Sequence, residues 1–376
     1  MRAVFGVTRH AAGEGFGDRL WREHAREYRR GDAHGFRPDS EFSGVGAPLY
    51  LADGGDPQSR QSAAPAARFR FRMKSTCFRF LFGLLLAGVV RAADDYVANF
   101  DTIYNSLTVE KRGTVVELRA RLRGSEALES AIDLRDPMQP IVAYTKSLYA
   151  GLFFQPKPQR VLMIGLGGAG FHRMFTVAYP EALLQTVELD PKVFELTQSR
   201  LAFKPTAKTP VALMDGRMFV KRDRQTWDWL ILDAFRGGFV PPHLKTEEFY
   251  RECAARLADN GVFITNLHAT SQLYYSDIKT LQAVFPQLVL FETAGRGNVI
   301  ACAVKYRMPL INDPAKWPTN AALNRPVFAG RLDLDAVRRE FASLPEVEVK
   351  NAKVMTDDFA PVEFLDAMKT NNTKYR

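Results

Sequence analysis

Cysteine is scarce in this chain. Three in 376 residues cannot build a disulfide framework. Cys77 falls in a basic, apolar leader-like stretch, Cys253 in a stretch that reads as helix and Cys302 in one that reads as strand; the last two fit ordinary packing roles. Histidine is scarce too, and its six residues show no metal-ligand spacing, so no metal is expected. His172 follows a glycine-rich turn and His243 follows Pro241-Pro242; both read as packing or surface residues. The apolar run Phe80–Val90 is too short to span a membrane, and no internal repeat is present. The net charge is +9, but no basic helix or aromatic ladder accompanies it, so nucleic acid is not an expected partner.

The first 72 residues lack Lys, Ile and Asn altogether. They are rich in Arg, Gly and Ala and have no sustained periodicity, a composition that does not form a core. Met73–Arg79 is basic, Phe80–Val90 is apolar, and Val90-Arg91-Ala92 offers small residues before Ala93-Asp94-Asp95. That is the anatomy of a secretory signal peptide. The expectation is therefore a disordered or misassigned extension over 1–72, translation from Met73, a signal over 73–92, and a periplasmic or secreted protein. Without the signal reading, the protein would be cytoplasmic.

What the chain does have is a glycine-rich turn behind a strand. In Arg160-Val-Leu-Met-Ile-Gly165-Leu-Gly167-Gly168-Ala-Gly170 the apolar residues Val161–Ile164 read as a buried strand. The glycines permit a sharp turn and close backbone approach to a ligand, and Phe171–Tyr179 can follow as a helix. Thr186-Val-Glu188-Leu-Asp190-Pro191 ends a second strand about 20 residues on, where an acid holds ribose hydroxyls in such folds. Val211–Arg217 reads as a third strand carrying Asp215, and Trp227–Phe235 as a fourth ending in Asp233. Ligands of open α/β sheets sit at the carboxyl ends of the strands, so these groups converge on one crevice. Gly165, Gly167 and Gly170 also satisfy G-x-G-x-x-G, which keeps a dinucleotide dehydrogenase as a distant alternative.

Tyr96–Arg123 alternates apolar and polar residues and predicts β-hairpins. Asp136–Leu152 reads as helical, as do Thr246–Ala258 and Ser271–Phe285; Gly261–Leu267, Gln287–Glu292 and Asn298–Val304 read as strands, the last two as a hairpin. The expected layout is a small β-hairpin domain over 93–140, a nucleoside-binding domain over 141–306 and a helical extension over 307–376, frayed from Asn371. Alternating strands and helices argue for a doubly wound α/β sheet.

From Tyr104 to Tyr306 the order of blocks resembles the spermidine synthase family, the polyamine aminopropyltransferases. The blocks are Glu129–Pro137, Tyr144-Thr145, Pro158–Gly168, Val187–Pro191, Asp215-Gly216-Arg217, Asp233-Ala-Phe and Thr246–Phe249. The tail Met355–Glu363 is similar to the ending of a divergent branch. The resemblance implies a methyltransferase-type, Rossmann-like sheet with a small N-terminal β domain. It implies decarboxylated S-adenosylmethionine, or S-adenosylmethionine, as co-substrate and a small-molecule amine as acceptor. By the same resemblance Gly165, Gly167, Gly168, Gly170 and Gly216 border the nucleoside. Glu188 binds its ribose, Asp215 accepts from the adenine amino group, Asp233 orients or deprotonates the attacking amine, and Tyr144 lies in the substrate region. Family members are often dimers or tetramers.

The sequence departs from the family at three positions. Gly168 stands where the family's GGGDG loop has an acid, Arg236 where it has a second acid, and Glu129 where it has a Gln. Both missing acids contact the cationic polyamine in the family, so a neutral or anionic acceptor also fits. A methyltransferase in the same pocket and an exported, non-catalytic nucleoside-binding homologue remain as alternatives.

Overall fold

The computed structural model describes residues 95–122, 125–293 and 297–362. The 1–72 stretch, the signal-like segment 73–92 with Cys77, and the chain end from Asn371 lie outside the described residues.

The first four strands are β1 (Tyr96–Asp101), β2 (Ser106–Arg112), β3 (Val115–Leu122) and β4 (Ser125–Asp133). They form an antiparallel sheet in chain order. Period-two alternation sends Leu107, Val109, Val116, Leu118 and Ile132 to one face, where Val193, Leu196 and Leu201 cover them. The register slips once. Leu118 pairs with Ser130 and Arg119 with Leu128, so Glu129 is an extra residue in β4, a β-bulge.

The helix expected over Asp136–Leu152 is shorter than its pattern. Pro137 and Pro140 keep the first part in turns, and only α1 (Tyr144–Ser147) and a 3-10 segment (Leu148–Phe153) follow. Next come β5 (Arg160–Ile164), α2 (Gly170–Ala178), β6 (Leu183–Glu188), α3 (Pro191–Ser199), β7 (Val211–Leu213), α4 (Gly216–Arg222) and β8 (Trp227–Leu232). The chain continues through α5 (Glu247–Ala254), β9 (Leu257–His268), α6 (Tyr274–Val284), β10 (Gln287–Glu292) and β11 (Asn298–Val304). Helix α5 ends before Ala258 because Leu257 already pairs with Trp227 of β8.

The large sheet has the order β12-β10-β11-β9-β8-β5-β6-β7, with β12 being Phe341–Ala342. Strands β5 to β9 pair in parallel, and β11 runs antiparallel to both β9 and β10. Both faces are covered, which explains the unbroken apolar runs in β5 and β8. Val161, Met163, Trp229 and Ile231 join the core with Phe171 and Phe175 of α2. Leu162, Ile164, Leu230 and Leu232 join the opposite core with Val220 of α4, Phe249 and Tyr250 of α5 and Ile278 of α6. Cys253 and Cys302 are buried free thiols. This is the doubly wound α/β sheet expected from the alternation.

Residues beyond 306 are not a simple helical extension. Among the described residues they form α7 (Asn320–Leu323), α8 (Leu334–Arg339) and α9 (Glu346–Asn351), separated by turns, and β12 extends the sheet beside β10. Pro309, Pro314, Pro318, Pro326 and Pro345 interrupt any longer helix. Trp317 is buried and stacks on Phe153 at 5.0 Å between centroids.

Candidate active site

Strand order reverses between β5 and β8, so their carboxyl ends open a crevice at the switch point. The cleft there has an open volume of about 1140 Å³. Tyr144, Gly165, Gly167, Gly168, Gly170, Glu188, Asp215, Gly216 and Asp233 all line it.

The glycine loop is held by close approach. Gly165 has φ +102°, and a Cβ there would sit 2.1 Å from the Asp233 carbonyl oxygen. The Asp233 N–H donates to the Ile164 carbonyl at 2.9 Å, which locks the two strand ends together. At Gly168 a Cβ would meet Ser130 Oγ at 2.4 Å and Leu201 Cδ2 at 2.7 Å. The position of the family's loop acid is therefore closed by β4, and a side chain has no room there. Thr197 Oγ1 of α3 donates to the Gly167 carbonyl at 2.6 Å.

Glu188 ends β6. Its carboxylate accepts the Leu166 N–H at 3.0 Å and the Asp190 N–H at 2.8 Å, one on each oxygen. Burial pushes its pKa up, and those N–H groups oppose the shift. A carboxylate has about four acceptor positions, so capacity remains for further donors. Asp190 caps α3 and accepts from Thr102 Oγ1 at 2.7 Å, tying the β1–β2 connection to this wall of the cleft.

Asp215 sits just past β7 as the N-cap of α4. One oxygen accepts the Met218 N–H at 2.9 Å, and the other pairs with His243 Nε2 at 2.7 Å. Burial opposes its ionisation, but the His243 contact and the Met218 and Arg217 N–H groups outweigh it and hold the pKa below the ordinary value. His243, read from sequence as a packing or surface residue, is thus the partner of a cleft carboxylate.

Asp233 lies at the floor. Tyr144, distant in sequence, donates from its hydroxyl to Asp233 Oδ2 at 2.9 Å. Asn266 of β9 donates to Oδ1 at 3.0 Å, and Asn298 of β11 donates to Asn266 Oδ1 at 3.0 Å. Burial pushes the Asp233 pKa up, and the Asn266 and Tyr144 hydrogen bonds pull against it. Burial and the neighbouring Asp233 charge raise the Tyr144 pKa well above its usual value, so Tyr144 is a donor. The two asparagines were not singled out from sequence. Their signal was a buried amide in each of two otherwise apolar strands.

A Spermine/spermidine synthase domain model matches residues 143–291. A polyamine aminopropyltransferase of Vibrio vulnificus is 34% identical over 230 residues, covering 59% of this chain and 75% of that protein. The chain belongs to the spermidine synthase family. Its fold is that of a probable spermidine synthase from Corynebacterium glutamicum, at TM-score 0.55 and 19% identity over 71% of this chain and 98% of the other. Methyltransferases match shorter stretches: an N-terminal histidine N-methyltransferase of Emericella nidulans is 34% identical over 120 residues, 30% of this chain and 21% of that protein.

Against this family background the departures take a physical form. Arg236 lines the cleft, but its Nε donates to the Tyr104 carbonyl at 2.8 Å across the mouth. Glu129, the bulge residue, lines the cleft from the β4 side with one oxygen enclosed and without a hydrogen-bond partner. His172 is buried behind the loop, its Nε2 2.7 Å from Thr186 Oγ1. Burial lowers its pKa to about 3, so it is a neutral packing residue. Among the described residues no group of three His, Cys, Asp or Glu could hold a metal.

Proposed function

We propose that the cleft binds decarboxylated S-adenosylmethionine and transfers its aminopropyl group to a small amine. The observation that carries this reading is the Asp233 carboxylate, fixed by Tyr144 and Asn266 beside the Gly165 turn. Glu188 stands at the neighbouring strand end with acceptor capacity for a ribose.

The chemistry needs a neutral amine, whose conjugate acid has a pKa near that of lysine. Attack forms an N–C bond while the C–S bond breaks, its electron pair passing to sulfur. The amine proton goes to Asp233. A carboxyl with a raised pKa is the better acceptor for that proton. Tyr144 and Asn266 hold the carboxylate in one orientation, which supplies positioning. The Gly165 loop and Glu188 place the nucleoside so that its side arm points toward Asp233.

The test is product formation by the purified chain with decarboxylated S-adenosylmethionine and a panel of diamines and monoamines. Methylthioadenosine should appear together with a lengthened amine, and Asp233→Asn should slow the formation of both. Transfer of a methyl group from S-adenosylmethionine in the same assay, with no aminopropyl product, would replace this reading by methyl transfer, the reading that the methyltransferase relatives favour. Binding without turnover of either would leave a non-catalytic homologue.

A further inference from the structure

One carboxyl in the cleft is only half engaged: Glu129 takes the Gly237 N–H and has an oxygen to spare. Glu129 Oε1 is shut off from solvent and has no hydrogen-bond partner, while the side chain still borders the cleft. Buried polar atoms are nearly always satisfied, so an orphan carboxyl oxygen beside a cleft is a seat for a donor carried by what fills the cleft. Its backbone is also unusual. Leu118 and Arg119 pair with Ser130 and Leu128, leaving Glu129 as the bulge. A bulge re-aims one side chain, and these devices concentrate beside active sites. Without it Glu129 would alternate with its neighbours on the regular ladder.

The surroundings of Glu129 are anionic. Asp233 comes from the end of β8 and Glu188 from the end of β6, and both raise its pKa; only the Gly237 N–H opposes them. Tyr144 of α1 faces the same group as a neutral donor. Arg236 also lines the cleft, but its Nε is engaged at Tyr104 and it is not among the groups acting on Glu129. Neighbouring carboxyls resist ionising together, and an arriving cation favours the charged form of the one that has yielded. Of the three, Glu188 and Asp233 each hold two donors already, and Glu129 has the free oxygen. It lies under the influence of both Glu188 and Asp233, the carboxyls that the proposed function gives to the ribose and to the transfer, so a nucleoside bound in that way would carry its side arm past Glu129.

We infer that Glu129 sets the specificity for the charge of that arm: its carboxylate receives the ammonium of an aminoalkyl sulfonium nucleoside and disfavours an arm carrying a carboxylate. This rests on the nucleoside reading above. Burial and the two neighbouring acids push the free carboxyl to about 8, so it carries a proton at neutral pH that a cationic arm displaces.

Calorimetry on the full chain with three nucleosides tests this. Methylthioadenosine has no charged arm, S-adenosylmethionine carries an ammonium and a carboxylate, and the decarboxylated form carries the ammonium alone. In the wild-type protein the decarboxylated form should bind tightest and release nearly one proton at pH 7, read from the dependence of the heat on buffer ionisation enthalpy. Glu129→Gln should lose roughly tenfold to a hundredfold in affinity for it. The same variant should change methylthioadenosine binding by less than about threefold. Proton release should vanish, and discrimination against S-adenosylmethionine should collapse. Unchanged discrimination in Glu129→Gln, or no proton release in the wild type, overturns the inference while the nucleoside reading stands. Failure of the wild type to bind any of the three overturns both.

Discussion

Asp233 and its two donors define what a single side chain contributes here. Asp233→Asn keeps the size and loses the proton acceptor, so turnover should fall by roughly 10² to 10⁴ with nucleoside binding retained. Tyr144→Phe removes a hydrogen bond that pulls the Asp233 pKa down. Asp233 acts as base only when ionised, so the acidic limb of kcat/KM against pH should move to higher pH in that variant. An unmoved limb would show that Tyr144 does not act through Asp233. Glu129 makes a stability statement as well. Its carboxyl goes from 4.5 in the unfolded chain to about 8 in the fold. The folded state therefore holds a proton that the unfolded chain has released, and this contribution, present below pH 4.5, is lost as pH rises toward 8. Thermal melts of the ligand-free protein should show Glu129→Gln gaining steadily on wild type as pH rises from 5 to 8. A gap that shrinks with rising pH would contradict the shift.

At the scale of elements, the contact between β4 and the glycine loop is the informative one. The bulge at Glu129 and the seat of Ser130 against Gly168 arise from the same register slip. Gly168→Ala puts a methyl group into Ser130 Oγ and Leu201 Cδ2 and should cost about 1 to 3 kcal/mol. Adding Ser130→Gly should recover part of it, because Leu201 still blocks the site; denaturant titration of both variants checks the coupling. The strands and helices of the large sheet were legible because apolar periodicity is a local property. Val161–Ile164 reads as a buried strand, and the helix read from Thr246 forms with Thr246 as its cap. The helix over Asp136–Leu152 and the helical tail were overread because the same apolar residues suit turns packed on a core once proline forbids the ladder. The early start of β9 was invisible, since only pairing with Trp227 makes Leu257 a strand residue.

For the whole molecule, the described tail is clamped back onto the sheet. Arg217 of α4 holds Asp357 at 2.6 Å and Glu252 of α5 at 2.8 Å, and Thr246 donates to Asp357 at 2.7 Å. Asp357→Ala should destabilise the fold by about 1 to 2 kcal/mol and expose the tail to proteolysis; an unchanged cleavage rate would show the clamp to be idle.

By itself the amino-acid order determined the strand–glycine–helix unit, the acids at successive strand ends and hence the crevice on which they converge. Each is written within a few residues, where backbone period and turn chemistry act. Only the tertiary structure decided which groups meet. Tyr144 and Asn266 reach Asp233 from two elements, Asn298 braces Asn266 from a third, and His243 reaches Asp215. A one-residue slip in β4 turns Glu129 toward the cleft and fills the place of a loop acid with Ser130. Such meetings depend on how sheets and loops close over one another, a long-range balance of packing and register that no local pattern carries.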